Sequence, residues 1–139
     1  MTQRMMPLLS LFFLLAYYSC GVSSAVKQNY TFEDKQVFDL VERLKKNPDD
    51  EEAKRLLPEA YRAALNKRDS LTEAKYYNLA GGDRHIALAN EWLVMQQMYE
   101  AILSAPAAKS VMPNPWDPTY KIQEEYNHAA DEYYEQGLN

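Results

Sequence analysis

The chain is 139 residues long, with 15 basic and 20 acidic side chains and a formal net charge of −5. That length holds one domain and excludes a barrel or a full dinucleotide-binding fold. The acidic balance argues against non-specific nucleic-acid binding, which needs positive charge. A single cysteine excludes an intrachain disulfide and a four-cysteine zinc site.

The N-terminus reads as an address. Arg4 is followed by an eleven-residue apolar run, residues 8–18, broken only by Ser10. A run of this length is too short to cross about 30 Å of hydrocarbon as a helix and has the length and position of an export signal. A buried N-terminal helix is the alternative, but the run lacks the polar stripe of a surface helix. Ser19-Cys20-Gly21 follows the run and resembles the lipobox of bacterial lipoproteins; Tyr17 stands where that pattern usually has an aliphatic residue. The resemblance implies that residues 1–19 are a signal peptide and that Cys20 becomes a lipidated N-terminus. The mature chain would then have 120 residues and a net charge near −6. Residues 20–32 would be a lipid-anchored tether and the location the bacterial cell envelope, with the membrane and its face left open. Ordinary secretion, with Cys20 a leftover thiol, and retention by an uncleaved apolar segment are the alternatives.

Beyond the tether the pattern is helical, and no long strand alternation occurs. Residues 33–46 carry Val37, Phe38, Val41 and Leu44 on one helix face. Pro48 ends that run, and Asp49 or Asp50 can cap the next. A second helix is expected over 51–68, with Pro58 either kinking it or opening a new helix. Ser70 has capping-box spacing to Glu73, which predicts a short third helix to about Leu79, stopped by Gly81 and Gly82. From Asp83 to Ser104 the run is apolar enough for a helix buried on more than one side. Residues 105–118 hold four prolines and read as a linker with no regular helix through it. A last helix starts near Thr119. The fold class is all-α, and the helical domain spans 33–139.

Two fragments carry a resemblance to tetratricopeptide repeats. One is Pro48 to Ala53 with Leu57, Ala60 and Tyr61; the other is Ala130, Tyr134 and Gly137. The resemblance implies antiparallel helical hairpins, stacked as an incomplete solenoid. A clear 34-residue period is missing, so an unrelated helical bundle stays open.

Catalytic patterns are sparse. No metalloprotease, nucleophile-elbow or phosphate-loop motif is present. His85 reads as an interfacial histidine. Glu124, His128 and Glu132 share a helix face but are too spread to wrap one ion, so no metal and no cofactor are expected. Aromatics are the better clue. Tyrosine combines apolar area with a hydroxyl and suits interfaces. Tyr77, Trp116 and Tyr133 are the candidate protein contacts, against the alternative that such side chains fill a small core or pack the loop. The leading expectation is a membrane-tethered helical module that binds another envelope protein or peptide and is not an enzyme. A passive structural subunit of an envelope assembly, or a small carboxylate-dependent hydrolase, remain alternatives.

Overall fold

A computed structural model describes residues 29–137, which form five helices and no strand. Helix α1 spans Phe32–Lys46, α2 Glu51–Asn78, α3 Gly81–Ser104, α4 Pro106–Val111 and α5 Thr119–Gly137. The described part of the chain is all-α and built from antiparallel hairpins. Residues 1–19, read from the sequence as a signal peptide, and Cys20 lie outside the described residues.

Thr31 starts α1 with a reciprocal cap. Its hydroxyl accepts from the Asp34 amide, and the Asp34 carboxylate accepts from the Thr31 amide at 2.6 Å. The helix then buries Val37, Leu40, Val41 and Leu44. Asp50 caps α2 by accepting from the Ala53 amide at 2.9 Å. Arg43 reaches across the turn to Asp50 and Glu52. That exposed cluster fixes the turn more than it stabilises the domain.

Where the sequence predicts two helices separated near Ser70, there is one, 28 residues long. Ser70 does not cap; its hydroxyl donates back to the Asn66 carbonyl at 3.1 Å. The inner face of Ala53, Leu57, Tyr61 and Ala64 continues at helical spacing as Arg68 and Thr72, both buried. The polarity that suggests an end is therefore a change in the chemistry of one continuous face. The helix also runs through Pro58. An interior proline costs about 3 kcal/mol, which only extensive tertiary packing offsets.

Helix α3 begins at Gly81 rather than Asp83. Gly81 has φ +61°, a conformation in which other L-residues are strained. A Cβ there would also lie 2.6 Å from the Gln136 amide nitrogen, and one on Gly82 would meet the Tyr133 ring at 2.6 Å. The two glycines thus make the α2–α3 corner and let α5 approach. Gly81→Ala is expected to cost about 1–2 kcal/mol, read as a lower urea midpoint.

The 105–118 segment contains α4, which corrects its reading as a helix-free linker. Pro106 occupies a first-turn position, where its missing N–H is not needed. Helices α1 and α2, the C-terminal half of α3, and α4 enclose one core around Val37, Leu44, Leu57, Met98, Ile102 and Ala108. Helix α3 touches all four others and is the spine of the fold. Helix α5 has α3 as its only helical neighbour among the described residues and buries just Ile122 and Ala129.

Candidate functional site: a surface groove, a buried ion network and an aromatic end

An open groove of about 460 Å³ lies between α1 and α2. Inward-facing Val37, Val41 and Leu44 leave the next row of α1, Gln36, Leu40 and Arg43, along the seam. Helix α2 answers with Leu56, Ala60 and Ala63. Leu40, Leu56, Ala60 and Ala63 make an apolar floor, and Gln36, Asp39, Arg43 and Glu59 form the rim. The small alanines keep the seam open. Arg43 is committed to Asp50 and Glu52, so the rim's net character is acidic.

Below the groove, where α1 begins, sits a charge network that the sequence reading missed. Arg68 is 1% exposed. Its Nε donates to Asp34 Oδ1 at 3.3 Å, and its Nη2 donates to Asp34 Oδ2 and to the Asn29 carbonyl, the latter at 2.7 Å. Its Nη1 donates to Glu91, whose other oxygen accepts from Lys75. Two cations thus face two carboxylates, all held by hydrogen bonds. Burial pulls the Arg68 guanidinium down, but hydrogen bonds and charge from Asp34 and Glu91 more than offset it and hold it above its ordinary range. The signal in the sequence is Glu91, a charge set among Leu88, Ala89, Trp92 and Leu93 in the most apolar run. With every group hydrogen-bonded and Arg68, Asp34 and Glu91 enclosed, the network is structural and locks α1, α2 and α3 together.

The three predicted contact residues do not share a surface. Tyr77 lies near the end of α2 and is 76% exposed. Tyr133 lies on α5 against the start of α3: its ring packs on Gly82, its hydroxyl donates to Asp83, and 44% of it stays exposed. Tyr76, Leu79 and Tyr134 add further exposed area at the same end, and Arg84 lies over the Tyr76 ring at 4.9 Å. Trp116 is elsewhere, against Trp92, roughly 15 Å farther along α3 from Gly82.

Trp116 packs the proline-rich loop onto the body, edge-on to Trp92 with ring centroids 5.6 Å apart. Its backbone amide donates to the Tyr61 hydroxyl at 3.1 Å, and that hydroxyl donates to the Trp116 carbonyl at 3.5 Å. Burial pushes the Tyr61 hydroxyl above its usual pKa, partly countered by the bond from Trp116. In the unfolded chain tyrosine ionises near 10.0. The stabilisation is therefore complete below that pH and is lost as pH rises toward the folded value. The urea midpoint is expected to fall above pH 10 and to fall less in Tyr61→Phe. At neutral pH, Tyr61→Phe should cost about 1–2 kcal/mol, because a loop amide loses its acceptor.

His85 is interfacial, as its setting predicts. Its Nδ1 lies 2.7 Å from Glu125 across the α3–α5 seam, and its ring is 5.1 Å from that of His128. Glu124 pairs instead with Lys121. Among the described residues no three histidine, cysteine or carboxylate side chains are grouped to hold a metal ion. None of the helices there is long and apolar enough to cross a membrane. Comparison with protein-family profiles, with curated proteins and with solved structures finds no match for this chain.

Proposed function

We propose that this chain is a lipid-anchored helical module of the bacterial cell envelope that binds another envelope protein or peptide in the groove between α1 and α2. The observation that carries the reading is the groove itself, apolar at the floor and polar at the rim. Apolar floors supply affinity, and a few rim groups fix orientation. A helix or extended segment laying two or three apolar side chains against Leu40, Leu56 and Ala60 would fill it. Basic flanks on that segment would meet Asp39 and Glu59. The anchor at Cys20 supports the reading from the sequence, since it would hold the groove near other envelope proteins.

The test uses the full-length chain in its host. A photo-crosslinking residue replaces Gln36, on the rim, or Asp69, exposed on another face of the helix that carries the groove. A discrete crosslinked partner from position 36, absent from position 69 and lost when Ala63→Trp fills the groove, is the expected result. Equal crosslinking from both positions, or crosslinking indifferent to Ala63→Trp, would rule out the groove as the binding surface. Fatty-acid labelling of the parent beside Cys20→Ser tests the anchor separately, with label expected on the parent alone.

A further inference from the structure

The point at which the chain joins the domain is pinned. Arg68 holds the Asn29 carbonyl, the Tyr30 hydroxyl donates to Gln97, and the Tyr30 ring lies 4.8 Å from that of Phe38. From there α1 runs away, antiparallel to the first part of α2: Asp34 pairs with Arg68 at one end, and Arg43 with Asp50 at the other. Helix α2 continues for residues 69–78 past Arg68, and residues 81–90 of α3 precede Glu91. Ten residues of helix on each side amount to an overhang of about 15 Å. The overhang lies at the end of the domain where the described residues begin, at Asn29, and the C-terminal part of α5 lies on it.

This overhang carries four exposed aromatics, while Phe32 and Tyr120, 71% and 74% exposed, lie on the first turns of α1 and α5. Tyr77 and Tyr134 are 76% and 70% exposed, and Tyr76, Leu79 and Tyr133 lie with them. All four aromatics are tyrosines. A ring with a hydroxyl tip belongs at the boundary between lipid and water rather than in hydrocarbon. The chain from Cys20 to Asn29 can reach about 30 Å at most, so an anchor at Cys20 keeps the overhang close to lipid. Tethering at that distance gives a high effective concentration, and weak contacts then suffice to orient the domain.

We propose that the tyrosine end formed by Tyr76, Tyr77, Tyr133 and Tyr134 rests on the surface of the membrane that holds Cys20 and turns the α1–α2 groove away from it. The inference rests on the lipid-anchor reading. The lipid it suits is uncharged overall, with zwitterionic headgroups. Asp83 is bonded to Tyr133 and Arg84 covers Tyr76, while exposed Glu73 and Asp131 would be repelled by an anionic surface.

The chain's single cysteine makes the test clean, because lipidation consumes its thiol. Tyr77→Cys and Lys46→Cys, at opposite ends, each add the only free thiol. Each is labelled with a fluorophore on the lipidated full-length protein in phosphatidylcholine vesicles that carry headgroup quencher. Quenching at 77 should exceed that at 46 roughly twofold or more. Adding Tyr76→Ser and Tyr134→Ser to the 77-labelled protein should bring it toward the level at 46 with unchanged helical circular dichroism. Equal quenching at the two ends of a lipidated protein overturns the inference and leaves the anchor standing. So does quenching at 77 that ignores the serine changes, or shielding that grows with protein density and so reports a second copy. Absence of fatty acid on Cys20 instead overturns the anchor reading, and the inference with it.

Discussion

Arg68→Ala is expected to destabilise the domain by about 3–5 kcal/mol, the usual cost of breaking a buried ion pair from one side. The substitution leaves Asp34 enclosed without a cation and Glu91 with Lys75 alone. It also frees the Asn29 carbonyl and removes one of the contacts that pin the start of α1. A domain of this size is stable by roughly 5–15 kcal/mol, so the variant would lie near the edge of folding. Lys75→Ala should cost much less, since Lys75 is a third exposed and Glu91 keeps Arg68. The decisive comparison is Arg68→Met alone against Arg68→Met with Asp34→Asn and Glu91→Gln. Neutralising the carboxylates should recover a large part of the loss, because the penalty comes from stranded charge rather than missing attraction. Urea midpoints followed by circular dichroism read all four. A loss below about 1 kcal/mol for Arg68→Ala would mean that the carboxylates find water, and that the network does not lock the three helices.

The same network shows where the sequence stops being legible. The face of α1 is plain in Val37, Val41 and Leu44, because apolar residues at helical spacing need no partner to be recognised. The Pro48–Asp50 corner is equally local. Arg68 and Thr72 keep the spacing of Ala53, Leu57, Tyr61 and Ala64, yet a polarity pattern reads them as the end of the helix. Only the arrival of Asp34 from α1 and Glu91 from α3 turns them into interior residues, and a pairing across 34 and 23 positions leaves no local trace. Long α3 was legible for the opposite reason: it lacks a polar stripe, and it is packed by every other helix. Its start was placed two residues late because Gly81 and Gly82 read as a stop. They form instead the corner and the seat for Tyr133. The repeat-like fragments sit on helices of 28 and 19 residues rather than on the short, equal helices of a 34-residue unit. Of the candidate contacts, Tyr77 and Tyr133 are exposed, as are their neighbours Tyr76 and Tyr134. Trp116 was readable only as an alternative between packing and recognition; it packs, and keeps 39% of its surface exposed.

Ala129→Asp is expected to undock α5 while the rest of the domain stays folded. Ala129 is 2% exposed at the α3–α5 seam, and Ile122 is the only other buried residue of α5. A carboxylate placed there would have to be protonated, or stripped of water without a cation, at a cost of several kcal/mol. Helix α5 is held through α3 alone, along a seam that buries Ile122 and Ala129 and carries the His85–Glu125 pair and the Tyr133–Asp83 bond. The main core draws nothing from α5, since its buried cluster comes from α1, α2, α3, α4 and the residue joining α3 to α4. Cooperative units of unequal stability follow from such unequal packing. Hydrogen exchange should therefore show α5 amides losing protection while those of α1 and the first half of α2 keep theirs. Ala130→Asp, one position away and exposed, should change stability by no more than about 0.5 kcal/mol. The two variants also separate the ends of the molecule. Undocking α5 removes Tyr133 and Tyr134 from the overhang but leaves the α1–α2 groove intact, so crosslinking from position 36 should survive it. Protection lost in α1 together with α5 would instead mean that the hairpins unfold as one unit.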